Sequence, residues 1–205
     1  MIMKKVLAGL CVAATMASVS GAALAAEDGF YGAVDIGQST GHDVCDPFAG
    51  IAITSCDDKA ISYRLGGGYN FNQNFGAEIS YTDYGNQNLS GIDLGTGIPV
   101  SAKFEATAFQ VVGTGTLPVG NQFSLTAKAG LAAVNLDAKG TVLGFSFSES
   151  ANDTQFVWGL GAQFDATQNI GIRVNYENLG TVGKASTTGT SKLSNISAGL
   201  VFKFF

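Results

Sequence analysis

Ile61-Ser62-Tyr63-Arg64-Leu65-Gly66-Gly67-Gly68-Tyr69-Asn70-Phe71, followed by Asn72-Gln73-Asn74 and then by Phe75-Gly76-Ala77-Glu78-Ile79-Ser80-Tyr81-Thr82, is the stretch whose reading decides the fold. Two alternating runs flank a three-residue polar turn. In the first, Ile61, Tyr63, Leu65, Tyr69 and Phe71 share one face, and Ser62, Arg64, Gly66, Gly68 and Asn70 share the other. In the second, Phe75, Ala77, Ile79 and Tyr81 oppose Glu78, Ser80 and Thr82. Side chains of a strand alternate with period two, so each run is a two-faced strand and the pair is a tight hairpin.

Working outward, the pattern recurs. Residues 30–39 place Phe30, Gly32, Val34 and Ile36 against Tyr31, Ala33, Asp35 and Gly37. Residues 105–117 are less regular; counting back from the turn at 118–121 puts Phe109, Val111, Gly113, Gly115 and Leu117 on the apolar face, a register that a bulge would change. Residues 122–136 set Phe123, Leu125, Ala127, Ala129 and Leu131 against Ser124, Thr126, Lys128 and Gly130. Residues 154–165 set Phe156, Trp158, Leu160, Ala162 and Phe164 against Gln155, Gly159, Gly161 and Gln163. Residues 170–179 set Ile172, Val174 and Tyr176 against Arg173, Asn175 and Glu177. Residues 192–204 set Ile196, Ala198, Leu200, Phe202 and Phe204 against Asn195, Ser197, Gly199 and Lys203.

The total is eight strands of roughly ten residues, the length that crosses a hydrocarbon layer when tilted. Short turns alternate with long connections at 40–59, 85–101, 137–153 and 180–191. Within the third, 141–148 is itself strand-like and reads as a hairpin extension rather than a further crossing. An open sheet edge in lipid leaves backbone groups unsatisfied, so the sheet must close. The expected fold is all-β, an eight-stranded antiparallel up-and-down transmembrane β-barrel with short turns in the periplasm and four longer loops outside.

Alternation alone does not say which face points outward, since a soluble eight-stranded barrel has the same period with its faces exchanged. Three features choose lipid outside. The polar face carries Ser, Thr, Asn, Gln and Gly rather than dense Lys and Glu. Its few charges are of both signs, Asp35, Glu78 and Glu177 with Arg64, Lys128 and Arg173, which suits pairing in a narrow lumen. The aromatics fall into two bands, with Phe30, Phe71, Phe75, Phe123, Phe164, Phe202 and Phe204 near the short turns and Tyr63, Tyr81, Phe156, Trp158 and Tyr176 toward the loops. Girdles at two interfaces belong to membrane barrels.

Composition agrees. Charged residues are 13% of the chain and glycines number 28 of 205. Lys4 and Lys5, a short apolar run to about Val19, and small residues at Ala23 and Ala25 form a secretory leader. Residues 1–25 are therefore expected to be a signal peptide and 26–205 the barrel. The leader's apolar run is too short to be a retained membrane helix, and Leu10 before Cys11 argues against a lipoprotein site. Loss of Lys4 and Lys5 takes the net charge from −5 to −7, and no basic stripe offers itself to nucleic acid.

Residues 63–71 and 76–81, together with Ser197-Ala198-Gly199-Leu200-Val201-Phe202-Lys203-Phe204, resemble the small outer-membrane barrels of the OmpA transmembrane-domain, OmpX and opacity-protein superfamily. The resemblance covers essentially all of residues 26–205. It implies a bacterial outer-membrane location among lipid and lipopolysaccharide. It also implies a C-terminal signal at Ser197, Gly199, Phe202 and Phe204 that the barrel-assembly machinery reads, Phe205 being an addition to the usual ending. In the resembling OmpA barrels an interior Glu–Arg network acts as a gate, so a small gated channel is the alternative to a plugged, structural interior.

Little points to catalysis or cofactors. His42 is the single histidine and lies in a Gly- and Asp-rich loop without a recognisable nucleophile beside it, so a solvated loop residue is expected rather than a Ser–His pair. Cys45 and Cys56 share that loop in an exported chain and are expected to form a disulfide rather than a metal site with His42. Asp43, Asp46, Asp57 and Asp58 lack the regular spacing of a calcium loop. The reading is a non-enzymatic, monomeric barrel without cofactors, serving a structural or surface-interaction role, with any extracellular ligand met by its loops.

Overall fold

The computed structural model describes residues 28–42, 45, 50–142, 145–182 and 191–204. The expected leader, 1–25, lies outside them. The described residues form nine strands and no helix: β1 (Gly29–Gly41), β2 (Ile51–Asp57), β3 (Lys59–Asn70), β4 (Phe75–Asp93), β5 (Pro99–Pro118), β6 (Phe123–Val142), β7 (Phe145–Asp165), β8 (Ile170–Val182) and β9 (Ser191–Phe204).

All pairings are antiparallel. The order is β2-β4-β3-β1-β9-β8-β7-β6-β5, and a β4–β5 pairing closes the ring. First and last barrel strands meet from Phe30↔Phe204 to Gly41↔Leu193. Eight strands thus close as the alternation implied, with β2 as an addition. That addition is no ninth stave. It lies on β4 from Ile51↔Asp93 to Asp57↔Asn88, along the same edge that β3 occupies from Tyr63↔Asp83 to Asn70↔Gly76. β2 is therefore β3 carried further from the membrane, interrupted at Asp58.

The long connections are mostly strand, which corrects three expectations. The first, 40–59, contains β2. The second shrinks from 85–101 to 94–98, because β4 runs to Asp93 and β5 begins at Pro99. The third narrows to 143–144, which lie outside the described residues, and 141–142 pair with 145–146 in the hairpin extension that its residues suggested. The reason is physical. Segments such as Gln87-Asn88-Leu89-Ser90 stand clear of lipid, so neither face must be apolar and no period-two signal survives. The fourth, 180–191, lies largely outside the described residues.

The register that a bulge threatened in 105–117 is intact: β5 pairs with β6 without a shift from Val100↔Val142 to Pro118↔Ser124, leaving Phe109, Val111 and Leu117 outward. The irregularity sits instead in β4, between Asp83 and Asn86, where Gly85 adopts φ 74°. A Cβ there would meet the Ile61 carbonyl oxygen at 2.3 Å, so both backbone angle and space call for glycine.

The burial pattern settles which face is outside. Phe30 is 68% exposed, Leu65 64% and Leu160 57%, whereas Arg64 is 4% exposed and Glu177 is fully enclosed. A barrel in water could not expose that surface while hiding its charges; one in lipid must. Exposed aromatics form a ring at the short turns (Phe30, Tyr69, Phe71, Phe75, Phe123, Phe202, Phe204) and another higher up (Tyr63, Tyr81, Phe109, Phe156, Trp158, Tyr176). Between them lie Val34, Ile79, Leu160 and Val174. Beyond the upper ring the outward face turns polar at Gln38, Lys59, Asp83, Asn135 and Thr154. At the other end the turns are tight. In the first of them, Asn72 Oδ1 accepts from the backbone N–H groups of Asn74 and Phe75, 2.9 Å each.

Candidate functional site in the barrel lumen

Alternation turns Asp35 (β1), Arg64 (β3), Glu78 (β4), Lys128 (β6) and Arg173 and Glu177 (β8) inward, and the structure brings all six into one network. Arg64 Nε donates to Asp35 Oδ2 at 2.8 Å. Arg173 holds Asp35 with two bonds of 2.8 Å, through Nε and Nη2, and donates from Nη1 to Glu78 Oε2 at 2.7 Å. Arg64 Nη1 and Lys128 Nζ both contact Glu177 Oε1, and Arg64 Nη1 lies 3.8 Å from Glu78 Oε1. Three cations face three anions. Removing an ion from water costs several kcal/mol, and only such pairing with hydrogen bonds makes their enclosure tolerable.

Partners in this network are often two strands apart, and glycine makes that reach possible. Asp35 and Arg173 both face Gly199, on the strand between them. A Cβ on Gly199 would lie 2.3 Å from Asp35 Oδ1. Lys128 and Glu177 face each other across Gly159, where a Cβ would come within 3.0 Å of Lys128 Cε. Tyr31 and Glu78 face each other across Gly68, whose Cβ would sit 2.5 Å from the Tyr31 hydroxyl. Through that window Tyr31 Oη donates to Glu78 Oε2 at 3.0 Å. Sequence reasoning placed Tyr31 on the inner face but left it out of the network. The signal was available, in glycines that stand opposite polar residues once register is known.

Loopward of the charges the lumen changes character, which the sequence reading missed. Tyr84, Ala108, Ala132, Val134, Val157, Leu179, Val182 and Leu193 pack into one buried cluster contributed by six strands, each 3% exposed or less. Tyr84 enters beside the β4 bulge. Its hydroxyl accepts from Gln110 Nε2 at 2.7 Å and its backbone carbonyl from Ser39 Oγ at 2.6 Å.

At the loop end Cys45 and Cys56 are joined, with Cα atoms 5.8 Å apart, fastening the first loop to β2. Glu105 lies between Lys103 Nζ at 2.8 Å and Lys139 Nζ at 3.1 Å. Hydrogen bonds from these two ammonium groups, Lys103 first, hold its carboxyl below the usual carboxylate range. A cleft of about 440 Å³ runs past Lys103 and Lys139 between Asn88, Ser101, Thr141 and Ser148. His42 is exposed, yet it does have a partner: its Nε2 lies 3.0 Å from Ser194 Oγ, and its backbone N–H donates to the Lys192 carbonyl. The expectation of a histidine without a hydroxyl neighbour is thereby corrected, because β9 returns beside the end of β1. Asp43 and Asp46 lie outside the described residues.

Of the expected C-terminal signal, Ser197 is buried on the inner face, Gly199 is the window beside Asp35, and Phe202 and Phe204 point outward in the lower aromatic ring. Phe205 lies outside the described residues.

A family model described as the OmpA-like transmembrane domain matches residues 25–205. The virulence membrane protein PagC of Salmonella typhimurium is 31% identical over 134 residues, which cover 63% of this chain and 68% of that protein. Outer membrane protein A of Klebsiella pneumoniae is 25% identical over 183 residues, 85% of this chain but 51% of that protein, so the chain spans about half of that relative's length. Among solved structures, Ail, the attachment invasion locus protein of Yersinia pestis, superposes with a TM-score of 0.51 at 19% identity, covering 86% of this chain and 99% of that one. At that identity the likeness speaks for the fold.

Proposed function

Because the chain belongs to the OmpA-like transmembrane domain family and is an outer-membrane β-barrel of the Gram-negative type, we propose that it acts as a surface-interaction protein, presenting its loop-end hairpins outside the cell. The observation that carries this reading is how far those hairpins continue past the lipid-facing band. β4 and β5 run on from Asp83 and Phe109 to Asp93 and Pro99, and β6 and β7 from Asn135 and Thr154 to Val142 and Phe145. Seven to ten residues a strand at about 3.3 Å each stand roughly 23–33 Å along the strand beyond the membrane. Spanning a bilayer needs none of that length. Contact with something outside does, and regular paired strands stiffened by the Cys45–Cys56 bridge suit a fixed contact surface better than flexible loops would.

In this reading the protein is a monomer that needs no cofactor and catalyses no reaction, sits against lipopolysaccharide, and is inserted by the barrel-assembly machinery through Ser197, Gly199, Phe202 and Phe204. Its extracellular ligand is met by the hairpins. The test replaces 87–104 and 136–152 by short turns and measures attachment of producing cells to host cells and matrix-coated surfaces. Attachment should be lost while the barrel still shifts on unboiled gels; attachment equal to that of the native protein would sink the proposal. The Ser194–His42 contact calls for its own check. Ser194→Ala and His42→Ala should leave the acylation of the cell's lipids unchanged, and a change in released fatty acid in either variant would reverse the non-enzymatic reading.

A further inference from the structure

We infer that the lumen is sealed in two layers arranged in series, and that the apolar layer above the charges, rather than the charges themselves, is the barrier to ions. This stands apart from the surface-interaction reading, since attachment and conductance are separate measurements.

The two layers are chemically distinct. The lower layer is the paired network of Asp35, Arg64, Glu78, Lys128, Arg173 and Glu177, whose members can in principle exchange partners: Glu177 already contacts two cations, and Arg64 already lies near three carboxylates. A rearrangement there would leave a polar, wettable passage. The upper layer has no such alternative state. Ala108, Ala132, Val157 and Leu179 are wholly enclosed, and Tyr84, Val134 and Val182 are within 2% of it. From Ala132 to Leu136 of β6 the layer runs about 13 Å along the strand, long enough that an ion crossing it sheds its hydration with little to replace it. Such a transfer is strongly unfavourable, and apolar constrictions close pores by excluding water. Polar groups that enter the layer are few and uncharged: the Tyr84 hydroxyl accepts from Gln110 Nε2 and the Tyr84 carbonyl from Ser39, and Gln110 Oε1, opposite Ala132, is enclosed without a hydrogen-bond partner among the described residues. Switching the salt bridges therefore opens only a blind vestibule on the turn side.

The experiment is planar-bilayer recording of refolded protein, with folding checked by the gel shift on heating. Glu177→Gln with Lys128→Gln, which dissolves one limb of the network, should show no openings beyond the native protein. Adding Leu179→Ser and Val157→Ser to that pair should produce stable openings. Conductance from the network variant alone, or none after the layer is made polar, would overturn the inference. Thiol labelling decides the matter if the fourfold variant does not refold. Single cysteines at Thr126, on the turn side of the lumen, and at Ala132, within the layer, are exposed to a small water-soluble thiosulfonate, in the native protein and in Glu177→Gln. Thr126→Cys should react and Ala132→Cys should stay protected in both. Labelling of Ala132→Cys at the rate of Thr126→Cys would overturn the proposal as surely as a current.

Discussion

Arg173 shows what one buried residue does here. Its guanidinium makes a two-bond grip on Asp35 and a third bond to Glu78, with its side chain 9% exposed. Arg173→Ala would leave two carboxylates short of a cation, and breaking a buried pair from one side typically costs about 3–5 kcal/mol. The midpoint of urea unfolding in detergent or lipid should fall accordingly. Arg173→Lys should recover only part of the loss, because a lysine cannot hold Asp35 with a planar fork. Lys139→Ala, which removes one exposed partner of Glu105, belongs to a class of pairs worth about 0–1 kcal/mol and should move the midpoint little. Equal losses from the two alanine variants would contradict the assigned burial. The six charges were legible in the sequence because alternation puts them on one face. Their pairing was not, since it depends on which glycine stands between which strands. Gly199 looks like a filler until register places it between Asp35 and Arg173. The same test can be run on the window itself: Gly199→Val keeps every charge but drives a side chain into Asp35, and should lower stability by an amount comparable to Arg173→Ala.

At the scale of elements, the extramembrane strands depend on different supports from the staves below them. β2 is seven residues long and pairs only with β4 among the described strands, a marginal arrangement without a fastening. The Cys45–Cys56 bridge closes a loop of eleven residues' separation, worth roughly 3 kcal/mol in the chain-entropy view. Cys45→Ser with Cys56→Ser should therefore open the segment 43–57 to proteolysis on intact cells, while the gel shift of the barrel on heating stays unchanged. Loss of the shift would mean that β2 supports the barrel itself. The staves were readable from period two because lipid enforces an apolar outer face on each. β2, the top of β4 and the start of β5 were not, because water on both sides removes that constraint, and backbone pairing alone leaves no periodic mark on residues such as Ser55, Asn88 or Ser101. Tyr84 escaped for a related reason. It stands at a bulge, beyond Tyr81, where the regular outward apolar run of its strand ends and alternation had already ceased to be informative.

For the molecule as a whole, the outward band between the two aromatic rings is the claim that everything else presupposes, and depth makes it testable. Val174 and Leu160 lie between the rings and point outward, at 49% and 57% exposure. Asn135 lies on the same face of β6 as Leu131, four residues closer to the loop end, where the surface has turned polar. An arginine at the middle of a bilayer costs a membrane barrel about 2–4 kcal/mol and close to none near the interfaces. Val174→Arg and Leu160→Arg should thus each depress the stability of protein refolded in lipid vesicles by that amount, and Asn135→Arg should be nearly neutral. The contrast does not arise from loss of packing, because Val174 and Leu160 both touch lipid rather than a protein core; Leu160→Ala, which removes the side chain without adding charge, separates the two effects and should cost distinctly less than Leu160→Arg. A barrel with water outside would tolerate all three arginines alike, since an exposed charge is then simply solvated. A flat profile across Val174, Leu160 and Asn135 would therefore remove the membrane from the account, and a profile peaking between the rings would locate it to within a few residues on each strand.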